Sequence, residues 1–120
     1  MSVRDEVGEQ LAAWGTVARI ETRGRSSGRA AVAVVGFVGE PDGSLLVAAG
    51  SPDADWARNL EADPRCVVTI EDRSFVVAAE SLGPSEAASA VRELILRYGT
   101  PAERLGRGPA FRLRPAGDGR

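Results

Sequence analysis

The chain has 120 residues, 43% of them hydrophobic, and a formal charge of −2. That allows one domain around one core, and it excludes a disordered chain or a general attraction to nucleic acid and anionic lipid. All 15 basic residues are arginine and histidine is absent, which rules out His-dependent hydrolase and metal-site schemes and any lysine Schiff base. Proton transfer is left to a carboxylate, Tyr98, Cys66, a hydroxyl or a bound cofactor. Apolar runs stop at about six residues, short of the ~20 that cross a bilayer, so no membrane insertion is expected. The opening Met1–Glu6 is acidic and lacks the apolar stretch of a secretory signal. With a lone cysteine, Cys66, set in an apolar run, a reduced cytoplasmic protein is expected.

Taken in chain order, Val7, Leu11 and Trp14 share one helical face and predict an N-terminal helix within residues 1–14. Thr16–Thr22 reads as a strand, followed by the glycine-bounded loop Gly24–Arg29. Ala30–Val38 is nearly continuous in small and β-branched residues and reads as a strand buried on both faces. Glu40-Pro41-Asp42-Gly43 is a turn and Ser44–Ala49 a returning strand, so 30–49 is predicted to be a hairpin. Ser51-Pro52-Asp53 offers a hydroxyl cap, a proline at the first helical position and an acid in the first turn of a helix that must stop before Pro64. A second hairpin follows over about 65–80, with Cys66, Val68 and Ile70 on one face and the turn at Glu71–Ser74.

Gly83-Pro84 opens the most regular helix, whose apolar stripe is Ala87, Val91, Leu94, Ile95 and Tyr98 and whose stop is Gly99-Thr100-Pro101. Pro109–Leu113 reads as a final strand and residues 116–120 as a disordered tail. Hairpins dominate and no βαβ unit repeats. The order predicts a mainly β, α+β single domain over residues 1–120: six antiparallel strands closing toward a barrel, with flanking helices.

Two segments carry candidate chemistry. In Thr22-Arg23-Gly24-Arg25-Ser26-Ser27-Gly28-Arg29, two glycines allow close backbone approach, and the arginines and hydroxyls can donate to phosphate or carboxylate. The same composition suits a solvated turn, and the glycine spacing is not that of a Walker or dinucleotide motif. The second segment runs from Gly50 and Ser51 through Trp56 and Asn59 to Leu60. A helix N-terminus there offers N–H groups to an anion, against which Asp53 and Asp55 compete. Trp56 can stack on a planar ring or simply fill the core. Asn59 can orient a ligand or cap a neighbouring strand.

Together, Thr-x-Gly-Arg-x-Ser-Gly before a strand and Trp-x-x-Asn-Leu-x-Ala-x-Pro-Arg-x-x-Val before another resemble the deazaflavin-dependent nitroreductase family, over roughly residues 16–115. The ending Pro109–Pro115 is similar to that family's last strand. The resemblance implies a split β-barrel related to FMN-binding flavin reductases, holding coenzyme F420. It implies that Arg25, Ser26, Ser27, Gly28 and Arg29 face the cofactor's phosphate and acidic tail. It further implies that Gly50, Ser51, Trp56 and Asn59 flank the deazaflavin ring. Ser26 stands where Lys is frequent, Ala30-Ala31 replaces Pro-Arg, Val34-Val35 replaces Pro-Leu, and Ala57 stands where an aromatic residue is frequent.

The implied activity is an F420-dependent oxidoreductase passing hydride to a planar small-molecule electrophile such as a quinone, enone or nitroaromatic, with FMN as the alternative cofactor. A second expectation is a barrel without redox activity or cofactor. It would bind an apolar metabolite or catalyse a cyclisation or isomerisation with a buried Glu21, Asp55 or Glu80 as acid or base. The apolar second strand and the family's habit are compatible with a homodimer.

Overall fold

The computed structural model describes residues 11, 15–99, 102 and 105–116. The predicted helix within 1–14, Trp14 included, lies outside the described residues apart from Leu11, and residues 117–120 of the predicted tail lie outside them too. The elements are β1 (Ala18–Arg23), β2 (Ala30–Val35), β3 (Val38–Gly39), β4 (Leu45–Ala48), α1 (Asp55–Ala62), β5 (Arg65–Ile70), β6 (Arg73–Ser81), α2 (Pro84–Tyr98) and β7 (Ala110–Pro115). All pairings are antiparallel, in the order β2-β1-β5-β6-β7-β4-β3. The α+β split-barrel expectation therefore holds, with seven strands in place of six.

The extra strand arises where Ala30–Val38 breaks. Its halves, β2 and β3, are separated by Gly36 and Phe37 alone, yet they sit at opposite ends of the strand order. The chain thus carries the sheet round on itself. Tyr98 holds the break: its hydroxyl accepts the Phe37 N–H at 3.1 Å and donates to the Thr16 carbonyl. Gly36 is required there, because a Cβ would stand 3.0 Å from the Tyr98 ring and closer still to Leu11. The predicted 30–49 hairpin is accordingly corrected: β2 pairs with β1 across the Gly24–Arg29 loop, and β3 pairs with β4. Nor is β2 buried on both faces. It is an edge strand with Val32 58% exposed.

Two apolar cores flank the sheet. β1 alternates cleanly, with Ala18, Ile20 and Thr22 inward and Arg19, Glu21 and Arg23 outward. Its inward residues join Val35, Val47, Val68, Val77, Phe111 and Leu113 in the barrel interior, which α1 closes with Trp56, Ala57 and Leu60. The second core lies under α2, where Leu94 and Tyr98 pack with Leu11, Ala48, Leu105 and Ala110. β4 is buried along its whole length.

The helix predicted from Ser51 begins instead at Asp55, capped by Ala54 without a side-chain bond. The Ser51 hydroxyl is used one turn earlier, accepting the Asp53 N–H at 3.2 Å. The β5–β6 hairpin turns on two residues, Glu71 and Asp72, because Ile70 already pairs with Arg73. The last strand runs to Pro115, and Ala116 still donates to the Val76 carbonyl at 3.0 Å.

Candidate functional site

The Gly24–Arg29 loop is a closed turn. The Gly24 N–H donates to the Arg29 carbonyl and the Gly28 N–H to the Gly24 carbonyl, each at 2.8 Å, and Arg29 N–H bonds the Ser27 hydroxyl at 3.1 Å. Gly28 has φ +73°, a conformation that costs glycine nothing. A Cβ on Gly24 would meet the Ser27 hydroxyl at 2.7 Å.

What fixes the loop against the barrel is Asn59, only 2% exposed on the inner face of α1. Its amide nitrogen donates to the Thr22 hydroxyl at 3.0 Å. Its carbonyl oxygen accepts both the Arg25 N–H at 3.1 Å and the Arg25 guanidinium at 2.7 Å. The guanidinium also reaches the Asp55 carboxylate at 3.1 Å and the Asp55 carbonyl at 3.3 Å. Asp55 and Asn59 are four residues apart on one helix, hence one above the other. The hydrogen-bonding capacity of the buried amide is well used, as a buried polar group requires.

Beside this network is an open hollow of about 280 Å³ lined by Gly24, Arg25, Ser26, Ser27, Ala31, Asp55 and Asn59. It gathers four of the sequence-predicted site residues. The other donors of the loop are uncommitted: among the described residues, the N–H groups of Ser26 and Ser27, the Ser26 hydroxyl and the Arg29 guanidinium have no partner, and Ser26 and Arg29 are exposed. Thr22 is the residue that sequence reasoning missed. The signal for it was the inward phase of β1, which points this hydroxyl at α1.

Other predicted residues lie elsewhere. Trp56 is 3% exposed and faces Phe111 at 5.9 Å between ring centres, so it is a core residue behind α1. Gly50 and Ser51 form the approach to α1 and do not line the hollow; the backbone of Ser51 lies directly against Gly108. On the other side of the β1–β2 hairpin, a hollow of about 500 Å³ is bordered by Arg23, Gly28, Asp63, Arg65, Val67 and Val76, with Cys66 and Glu21 also at its edge. Burial pushes the Cys66 thiol up to about 11, so it stays protonated and unreactive at neutral pH.

The carboxylates considered for acid–base work are not buried and isolated. Glu21 is exposed, and Asp55 is paired with Arg25. Glu80 is held below the ordinary carboxylate range by hydrogen bonds from Arg112 and then Arg114, the wrong direction for a proton donor near neutrality. No cluster of three potential metal ligands occurs among the described residues. No described helix is long and apolar enough to cross a membrane.

Residues 1–103 match the family model of the F420H2-dependent quinone reductases. The chain belongs to that family. Solved structures agree on the fold. A haem storage protein from Vibrio cholerae, HutZ, superposes with a TM-score of 0.71 at 23% identity, covering 98% of this chain and 93% of its own. An F420H2-dependent reductase, FDR-A, gives 0.68 at 23% identity over 82% and 93%. A protein described as a domain-swapped dimer gives 0.68 at 22% identity over 82% and 79%. A comparison with curated proteins gives no match.

Proposed function

We propose that this protein is an F420H2-dependent reductase of planar electrophiles, with quinones the first class to test. The observation that carries the reading is the uncommitted donor set on the Gly24–Arg29 loop, of which Ser26 and Ser27 line the hollow and Arg29 is exposed two residues on, in a chain of the F420H2-dependent quinone reductase family. The residues fit an anionic cofactor tail. The Arg29 guanidinium, the Ser26 hydroxyl and the successive N–H groups of Ser26 and Ser27 offer charge-assisted and backbone bonds to phosphate oxygens, as backbone nests do. Gly28, in its left-handed conformation, bends the backbone so that Arg29 follows directly. When bound, the reduced deazaflavin supplies a hydride. The protein's part is binding, orientation and exclusion of water.

Within that division of labour, Asn59 and Arg25 hold the loop beside the hollow, Trp56 braces α1 from the core against Phe111, and Gly50 and Ser51 lead into the helix that walls the site. Haem, which HutZ stores, is a poorer fit, because the chain has no histidine and its Cys66 and Tyr98 side chains are buried. A homodimer belongs to the same reading. Val32, Val67 and Val76 align in one register across β2, β5 and β6 on the outer sheet face, with Glu21 between them, and Val32 and Val76 are exposed.

The test is titration of the purified protein with F420, FMN and haem, read by absorbance and by deazaflavin fluorescence. Saturation by F420 below roughly tens of micromolar, an affinity on the order of 6 to 8 kcal/mol, is expected, followed by quinone-dependent oxidation of F420H2. No F420 binding in that range, or tighter binding of FMN or haem, overturns the reading.

A further inference from the structure

We infer that Arg25 is a positioning residue and not a phosphate ligand: it clamps the Gly24–Arg29 loop to α1 so that Ser26 and Arg29 meet the anionic end of the cofactor. The inference rests on the proposed F420 reading and assigns roles within that site. Its ground is the disposition of the Arg25 donors. The backbone N–H and one guanidinium nitrogen both go to Asn59 Oδ1, at 3.1 and 2.7 Å, and the remaining terminal nitrogen pairs with Asp55 Oδ1 at 3.1 Å. The residue is therefore tied to the helix by main chain and side chain together, and its charge is matched at the same spot by Asp55.

A phosphate taking over the Nη1 and Nη2 contacts would have to displace a carboxylate and break the bond to an amide that is 2% exposed, which leaves it only the Nε and one Nη2 hydrogen of this guanidinium. Removing that partner would leave buried polar groups unsatisfied. Arg29 has no such ties among the described residues. Its charge is not spent on any described residue, so it is the base that can meet the cofactor. The clamp also explains the pattern Thr22…Gly24-Arg25…Asn59 as one mechanical unit. Thr22 orients Asn59, Asn59 orients Arg25, and Gly24 gives the turn the room to fold beneath them.

Arginine's planar fork makes these bonds at once, and lysine cannot. The experiment therefore compares R25M, R25K, N59L and R29M with the wild-type protein. For each, it measures F420 affinity at several ionic strengths, KM for F420H2 and kcat with a soluble quinone, Tm, and amide exchange across residues 24–29 without cofactor.

Positioning predicts that R25K behaves like R25M. Both weaken F420 about 10-fold by the same factor at every salt concentration, raise KM for F420H2 and leave kcat at saturating cofactor unchanged. Both also speed exchange of the loop amides, as N59L does. R29M instead weakens F420 and flattens its salt dependence while the loop amides stay protected. The inference is overturned if R25K retains wild-type affinity, or if R25M flattens the salt dependence as R29M does. It is also overturned if loop exchange is unchanged in R25M. Should the wild-type protein bind no F420 at all, the parent reading falls, and loop exchange in R25M and R25K alone decides whether the clamp exists.

Discussion

Arg25 spends its guanidinium on one carboxylate, one side-chain amide and one backbone carbonyl, whereas Arg112 spends its own on three carboxylates. Arg112 lies on β7 and meets Glu40 through two nitrogens at 2.8 and 3.4 Å, Glu80 at 3.3 Å and Glu86 at 3.4 Å. Its neighbour Arg114 adds a bond to Glu80 at 3.1 Å. Acids outnumber bases in that cluster, and the two arginines that line the hollow of about 410 Å³ beside it are both already paired with carboxylates. At the Gly24–Arg29 loop the balance is reversed: Arg23 pairs with Asp63 and Arg25 with Asp55, while the Arg29 side chain has no acidic partner among the described residues. One cluster ties the first turn of α2, the β3–β4 turn and the edge of β6 to a single strand. The other fixes a loop and leaves a base over. The difference teaches that arginine clusters are to be judged by what remains unpaired, not by how many bonds they make.

The largest expected effect comes from breaking the Arg112 cluster. R112M leaves Glu40, Glu80 and Glu86 facing one another without their common partner, a loss of network and not of one exposed pair. Tm followed by circular dichroism should fall by several degrees while F420 affinity is unchanged. If affinity falls with stability, the two clusters are not independent and the contrast between them fails.

The opposite signature is expected at the loop. R29M removes a charge-assisted contact to the ligand, an affinity loss of about 10-fold, on the order of 1.5 kcal/mol. Thermal stability should not move, because this side chain bonds nothing within the described residues. A fall in Tm with no change in affinity would make Arg29 structural and remove the surplus base on which the contrast rests.

A smaller effect is expected from pH. Glu80 is held below the ordinary value of 4.5, chiefly by its hydrogen bond from Arg112 and then by that from Arg114. A carboxyl with a depressed folded-state pKa stabilises fully above its unfolded value, and that contribution is lost as pH falls through the folded value. Stability should therefore be level near neutrality and decline below about pH 4.5, with E80Q making the acid limb shallower. An unchanged acid limb in E80Q would show that the Arg112 cluster does not carry this charge linkage.

Much of this arrangement was legible in the sequence, and the failures have physical causes. The Cys66/Val68 face and the stripe of α2 could be read because periodicity reports a local choice of face. The break at Gly36-Phe37 could not, because its cause is Tyr98, 61 residues away, bonding the Phe37 amide. The late start of α1 follows from a local competition, in which the Ser51 hydroxyl serves Asp53 within a turn instead of capping a helix. At the loop, the arginines and glycines suggested a phosphate site, yet the division between Arg25 and Arg29 was hidden. An arginine's sequence position does not reveal which acceptor it has already taken. The four-residue spacing of Asp55 and Asn59 on α1 was the available sign that one of them would be held.

The smallest effect serves as the benchmark for the other three. Glu71 sits at φ 56° in the two-residue turn between β5 and β6, a left-handed conformation that costs a side chain and not a glycine. Replacing it by glycine relieves that strain, and in the same step widens the freedom of the unfolded chain. The first effect exceeds the second at such a position, so E71G should raise stability by about 0.5 kcal/mol, read from urea unfolding with an unchanged m-value. Neither arginine cluster includes this turn. E71G should accordingly leave F420 affinity, its salt dependence and the acid limb as they are. A shift in any of these would mean that they follow global stability, and the separate signatures of R112M and R29M would lose their meaning.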